Sequence, residues 1–191
     1  LVEKELGGHH VSADIGCHTF STLQPFNLGN TVLGYGLSLA AASAMGPNFG
    51  KRIITVMGDA GFSHQGLVSG VTNAILRHDD GVLVIMENGY TSATGTQNIP
   101  SSPDLSAREG RGISIESTLR GLGVKWLERV PNYQVSEVAD ALRRAMTAEE
   151  VNAYGLVAGY ASPIGISGLK IVADDTAVES RNLVGGANKA G

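Results

Sequence analysis

The stretch 51-KRIITVMGDAGFSHQG-66 decides how this chain folds. Residues 53–57 are almost continuously apolar and β-branched, the pattern of a strand buried on both faces of a parallel sheet. The run stops at Gly58, and a carboxylate, Asp59, follows at once. From His64 to Asp80 the spacing turns helical, with Leu67, Val71, Ala74 and Ile75 on one face. The next segment, 81-GVLVIMEN-88, reads as a second buried strand. Strand, helix and strand within about 40 residues form a βαβ unit, which implies a parallel pair joined by a right-handed crossover.

Working outward, 31-TVLGYGLSLAAASAMG-46 predicts a tightly packed helix with a glycine stop. Residues 89–112 read as a polar loop. The segment 114-SIESTLRGLG-123 predicts a helix with Ser114 and Ser117 at its start, and 124-VKWLERV-130 a short strand. A helix is expected over 136–146 with Ser136 as its N-cap, and a last strand over 168–175. This succession predicts an α/β fold: an open, mostly parallel sheet with helices on both faces. After Met146 the composition turns Gly- and Ala-rich with weak periodicity. The expected organisation is a domain over 1–146 and a distinct tail over 147–191.

Composition narrows the function classes. The chain has 191 residues, 42% of them hydrophobic, enough for a substantial core without covalent staples. Its 26 glycines are roughly twice the usual share and cluster near apolar runs, which points to tight turns and close backbone approaches. A net charge of −4 with both signs dispersed gives no basic block for nucleic acid or an anionic membrane. No apolar run reaches the roughly 18 residues of a membrane-spanning helix. The single cysteine, Cys17, precludes a disulfide framework or a cysteine-built iron–sulfur site within the chain, and a reducing, cytoplasmic setting is expected.

In an open parallel sheet, ligands bind beyond the carboxyl ends of the strands. Asp59 lies just past one such end, and Asn88, 29 residues on, just past the next. A carboxylate and an amide oxygen are hard ligands suited to Mg²⁺, which takes few protein ligands and keeps phosphate oxygens in its shell. Gly58 and Gly61 allow backbone N–H groups close to a phosphate, and the following helix presents its positive end there. Taken alone, a Gly-Asp after a strand is more often a helix start than a metal site. The second strand, ending in 87-ENGYTSATG-95, supplies the needed companion.

Gly58-Asp59-Ala60-Gly61 followed by Asn88-Gly89-Tyr90 resembles the thiamine-diphosphate motif, with Ala60 in place of its third glycine. The stretch 13-ADIGCHTFSTLQPFNLGNT-31 resembles the Ile-Gly-Cys loop of 2-oxoacid:ferredoxin oxidoreductases, and the indolepyruvate ferredoxin oxidoreductases are the most similar subfamily. The likeness spans about residues 7–146. It implies a Mg²⁺ site of Asp59, Asn88 and the Tyr90 carbonyl, with Gly16, Cys17, His18, Gly36, Gly58, Ala60, Gly61, Thr91 and Ser92 at the cofactor. Gly34 and Thr94 would lie beside them, and Ala93 implies a pocket for a larger, more apolar oxoacid of the aryl- or indolepyruvate type. His18 and His64 are the candidates for catalytic side chains; His18 is as readily a buried side chain with no chemical role, and His64 a helix-start histidine exposed to water.

The resemblance further implies oxidative decarboxylation of a small-molecule 2-oxoacid, with electrons passing through iron–sulfur clusters to ferredoxin and the acyl group to CoA. The pyrimidine-activating and iron–sulfur domains would lie on other domains or subunits, and a homo-oligomer is expected. Two rival readings are a non-redox 2-oxoacid decarboxylase and an inactive binding module. Residues 147–191 are similar to part of the editing insertion domain of bacterial proline–tRNA ligases, carried by 159-GYASP-163 and 181-RNLVGGANKAG-191. That similarity raises a tRNA-editing fragment as a third alternative, and a fusion as the origin of the tail.

Overall fold

The computed structural model describes residues 2–103 and 112–148. The chain opens with a short helix, α1 (Val2–Leu6), and a three-residue strand, β1 (Val11–Ala13). A 3₁₀ turn (Cys17–Thr22) leads to β2 (Thr31–Val32) and helix α2 (Ser38–Met45). Strand β3 (Ile53–Gly58) runs directly into a helical rod, α3, built from an α-turn (Asp59–Gly61), a π-helical segment (Phe62–Val71) and an α-helical end (Thr72–Arg77). Strand β4 (Gly81–Met86), a small antiparallel ribbon of β5 (Tyr90–Thr91) and β6 (Gln97–Asn98), and helices α4 (Ile115–Gly121) and α5 (Val135–Thr147) complete the described chain.

The four strands of the main sheet are all parallel, in the order β2-β1-β3-β4, and helices flank them. The predicted α/β fold and its central βαβ unit are therefore present. The order reverses direction between β1 and β3. The carboxyl end of the sheet at such a reversal is the place where ligands bind in open parallel sheets.

Packing explains why the sequence settles this way. Ile53, Thr55 and Met57 of β3 face inward and are buried, while the alternate residues are half-covered. Met57, fully enclosed, joins Leu39 of α2, Phe62 and Val71 of α3, and Ile115 and Leu119 of α4 in one apolar cluster. Each such side chain contributes about 1.5–3 kcal/mol by leaving water. Leu67, Ala74 and Ile75 pack against that cluster, as their spacing predicts, even though the π segment inserts a wider turn among them. Gly66 makes the contact possible: a Cβ there would sit 2.4 Å from Met57 Sδ.

Several elements differ from expectation. The helix expected over 31–46 starts only at Ser38, because Thr31 and Val32 pair with β1 and Gly36 takes a left-handed φ of +76° that no helix accepts. The α-helix does end at Met45 with Gly46 as its C-cap, though Gly46 stays right-handed and opens a further 3₁₀ turn with Pro47. The helix after β3 begins at Asp59, five residues before His64. Strand β4 is an outer strand of the described sheet, with Gly81 and Met86 exposed rather than buried on both faces. Residues 124–130 form no strand; the Arg120 guanidinium takes the Lys125 and Leu127 carbonyls that a ladder would use. Helix α5 is preceded by Gln134 with no side-chain cap, so Ser136 lies inside it, whereas Ser114 Oγ does cap α4 by accepting from Ser117 N at 3.1 Å. The strand expected over 168–175 and the tail over 147–191 fall outside the described residues except for Thr147 and Ala148.

Candidate cofactor and metal site

Register places the two predicted oxygen ligands side by side. Gly58 pairs with Met86 at the tips of β3 and β4, so Asp59 and Asn88 emerge from adjacent strand ends. Asp59 is 1% exposed. Its Oδ2 accepts from Asn88 N at 3.0 Å and Gly89 N at 2.6 Å, and its Oδ1 from Ala60 N at 2.9 Å. Three backbone donors thus aim the carboxylate, and its place in the first turn of α3 suits the positive end of that helix.

The Asn88 side chain is fixed in turn: Oδ1 accepts from Tyr90 N at 2.9 Å, and Nδ2 donates to Ser92 Oγ at 2.5 Å. Thr91 belongs to the small ribbon with Tyr90, and Thr94 Oγ1 donates to Gln97 Oε1 at 2.8 Å. Ser102, fully buried, anchors this loop by donating to Gly89 O at 2.6 Å. Sequence reasoning passed over Ser102, which lies in a run of serines and prolines with nothing to single it out.

Whether a divalent cation suits these residues depends on the donor set. Asp59 is a buried carboxylate with no cationic partner among the described residues, and the oxygens beside it are an amide and a main-chain segment. Buried charges are normally paired or metal-bound. Each carboxylate oxygen keeps a lone pair beyond its amide contacts, so the hard-oxygen set fits Mg²⁺.

The β1 side of the crevice brings the Ile-Gly-Cys loop to the same end of the sheet. Asp14 N donates to Val56 O at 2.9 Å, extending the β1–β3 ladder by one residue. The loop then turns through Gly16, Cys17 and His18. Cys17 is exposed as a free thiol. The His18 ring lies over Gly16, where a Cβ would meet Cε1 at 2.8 Å and the ring would have to shift. His18 is half-buried, and its Nε2 is enclosed without a hydrogen-bond partner. Burial pulls its pKa below the usual imidazole value, while the charge and backbone of Asp14 act in the opposite direction.

Gly36 completes the crevice from the β2–α2 connection. A Cβ there would lie 2.6 Å from Gly61 O and 2.7 Å from Gln65 Cβ, so this loop rests directly on the first turns of α3. A Gly34 Cβ would touch only Leu37, with its nearest atom at 3.1 Å. Tyr35 lies against His64 with ring centroids 5.0 Å apart and planes tilted by 47°, and His64 is exposed. The structure therefore gathers Gly58, Asp59, Ala60, Gly61 and Gly36 tightly. Asn88–Ser92 lies on one side, and Gly16–His18 leads off the neighbouring strand. A separate cavity of about 210 Å³ lies at the opposite, amino end of the strands, among Leu6, His9, Lys51, Arg52 and Met146, and no predicted site residue lines it.

Comparison with known proteins agrees with this geometry. The sequence model of the family described as "Thiamine pyrophosphate enzyme, C-terminal TPP binding domain" matches residues 14–154. The indolepyruvate oxidoreductase subunit IorA of Archaeoglobus fulgidus is 34% identical over 151 residues, covering 78% of this chain and 24% of that protein. The Methanothermobacter marburgensis IorA is 33% identical over 139 residues, covering 72% of this chain and 22% of the relative. The chain thus spans about a quarter of the length of these relatives. A proline–tRNA ligase of Salinispora tropica is 50% identical over 48 residues, covering 25% of this chain and 8% of the ligase. A match over most of the chain, joined to a crevice at the point where the strand order reverses, places it in a family: the chain belongs to the thiamine pyrophosphate enzymes, as their C-terminal TPP-binding domain.

Proposed function

We propose that this chain is the thiamine-diphosphate- and Mg²⁺-binding part of an oxidoreductase that oxidatively decarboxylates a 2-oxoacid of the aryl- or indolepyruvate type. The observation that carries the reading is the Asp59 carboxylate, buried with no cationic partner among the described residues and held by the main-chain amides of 88 and 89 beyond the adjacent strand tip. The likeness to IorA proteins supports the redox class, and Ala93 in the 91–94 turn supports an apolar side chain on the oxoacid.

Asp59 and Asn88, with the Tyr90 carbonyl, would hold the cation. Gly58, Ala60 and Gly61 at the start of α3 would face the diphosphate, with Thr91 and Ser92 beside it. Thiamine diphosphate, when bound, supplies a nucleophilic carbon and an electron sink for loss of CO₂. The protein's share is orientation: the rigid strand tips fix the cation, and the close-packed Gly36 and Gly16 loops keep the pose. His18, whose pKa burial lowers against the opposing charge of Asp14, offers an imidazole that accepts or donates one proton beside Cys17. Iron–sulfur clusters, ferredoxin as electron acceptor, CoA as acyl acceptor and the pyrimidine-binding domain are assigned to other parts of a larger, oligomeric enzyme. The single cysteine, in keeping with a cytoplasmic setting, supplies at most one thiolate to any cluster.

Thermal melting of the chain with and without thiamine diphosphate plus Mg²⁺ tests this. Ligand at about 100 times its dissociation constant adds about 2.7 kcal/mol of stability. The expected result is a rise in Tm that needs both components. No rise at saturating concentrations of both overturns the reading.

A further inference from the structure

Asp14 lies in the Ile-Gly-Cys stretch with no role assigned to it, yet its buried carboxylate accepts four hydrogen bonds, one more than that of Asp59. It is 0% exposed and has no cationic partner among the described residues. Its Oδ1 accepts from Ile15 N at 2.7 Å and Gly36 N at 2.8 Å; its Oδ2 accepts from Ser38 N at 3.2 Å and Ser38 Oγ at 2.9 Å. Ser38 O in turn accepts from Ser12 Oγ at 2.8 Å, so three enclosed polar side chains tie the end of β1 to the start of α2.

A carboxylate is an expensive way to join a strand to a helix. Apolar side chains of similar volume usually do so as well or better, and an unpaired buried charge survives only where several donors surround it. What the charge achieves here is placement of main chain. It holds the amide of Gly36 in its left-handed conformation, φ +76°, which presses that loop onto Gly61 O. It holds the amide that leads into Gly16. It also sits against the first turn of α3, where a Cβ on Gly61 would come within 3.2 Å of Oδ1. The Asp14 main-chain carbonyl adds a fourth restraint: Thr19 Oγ1 donates to it at 2.6 Å and accepts from Gly16 N at 2.9 Å, which fixes the turn carrying Cys17 and His18.

We propose that Asp14 is the positioning residue of the cofactor site, using one buried carboxylate to set the spacing of the Gly16, Gly36 and Gly61 backbones that enclose thiamine diphosphate. It does not touch the cation or the cofactor. The inference rests on the function proposed above, and its test separates the two. Asp14→Asn keeps the shape but turns one acceptor into a donor facing Ser38 N–H, and Ser38→Ala removes a single hydrogen bond. Arg52→Ala, which disturbs contacts with Asp80 and the end of α5 at the opposite end of the sheet, serves as a control of lowered stability.

For each full-length variant, the dissociation constant of thiamine diphosphate at saturating Mg²⁺ is measured by calorimetry, beside the apo Tm. Asp14→Asn is expected to weaken binding at least about tenfold, the scale known for residues that orient the ligands of metal sites, and Ser38→Ala about threefold. Arg52→Ala is expected to lower Tm with binding unchanged within about twofold. A cofactor-free readout accompanies this: the NMR titration midpoint of His18 should fall in Asp14→Asn, because the charge opposing burial is gone. Wild-type affinity in both Asp14→Asn and Ser38→Ala overturns the proposal, as does a loss in Arg52→Ala proportional to its drop in Tm. If Asp14→Asn does not fold, Ser38→Ala against Arg52→Ala decides in the same way. A wild-type chain that binds no thiamine diphosphate fells the functional reading and this inference with it, and is recognised by identical inertness in every protein tested.

Discussion

At Gly36 a single added methyl group would meet Gly61 O at 2.6 Å on a backbone already at φ +76°. Gly36→Ala should therefore cost about 2–4 kcal/mol, combining left-handed strain with overpacking, and should show as a lower urea midpoint with an unchanged slope. His18 offers a second check at this scale. Its folded pKa lies below the ordinary value, so the unfolded chain binds more protons in the interval between them, and stability must rise with pH there. The contribution is fully present above about pH 6.5, the unfolded value, and is lost as pH falls through the folded value. Chemical denaturation at a series of pH values should show this slope, and His18→Asn should flatten it. The residues legible in the sequence were those that end long apolar runs. Asp59 and Asn88 stand out because each follows within two residues of the end of an apolar strand. Asp14 ends a strand of only three residues, interrupted by Ser12, and nothing in its local pattern marks it.

At the scale of elements, periodicity was a good guide where one face meets the core and a poor one where glycines or carbonyl capture intervene. The apolar face of α3 was readable although ten of its residues are π-helical, because all four spaced residues still reach the same cluster. The start of α2 was misplaced because Gly34 and Gly36 interrupt an otherwise helical composition. The segment 124–130 has strand-like residues, but its pairing edge is taken by Arg120. Arg52 shows how a distant contact holds an element no local pattern foretells. Its Nη1 donates to Ala145 O at 2.8 Å, its Nη2 to Ala148 O, and its Nε to Asp80 at 2.5 Å, so it caps the end of α5 from the foot of β3. Arg52→Ala should destabilise the fold by about 1–3 kcal/mol through unmet helix-end carbonyls and a broken ion pair. Equilibrium denaturation checks this, and no change in stability would remove the capping role.

At the scale of the whole molecule, function follows from strand order. Nothing in the local sequence shows that β1 lies between β2 and β3, yet that order brings the loops after β1 and β3 together at the carboxyl end of the sheet. No helix among the described residues is long and apolar enough to cross a membrane. The family match ends at residue 154, and a chain truncated there should keep the full melting shift with thiamine diphosphate and Mg²⁺. Loss of the shift would make the remainder part of the cofactor domain rather than an appendage. The most direct measurement is a crystal of the full chain grown with thiamine diphosphate and Mn²⁺ in place of Mg²⁺, with the metal located by its anomalous signal. The account predicts one peak about 2.1 Å from side-chain oxygens of Asp59 and Asn88, touching the diphosphate. A peak elsewhere, or a bound cofactor whose cation touches neither residue, would contradict it.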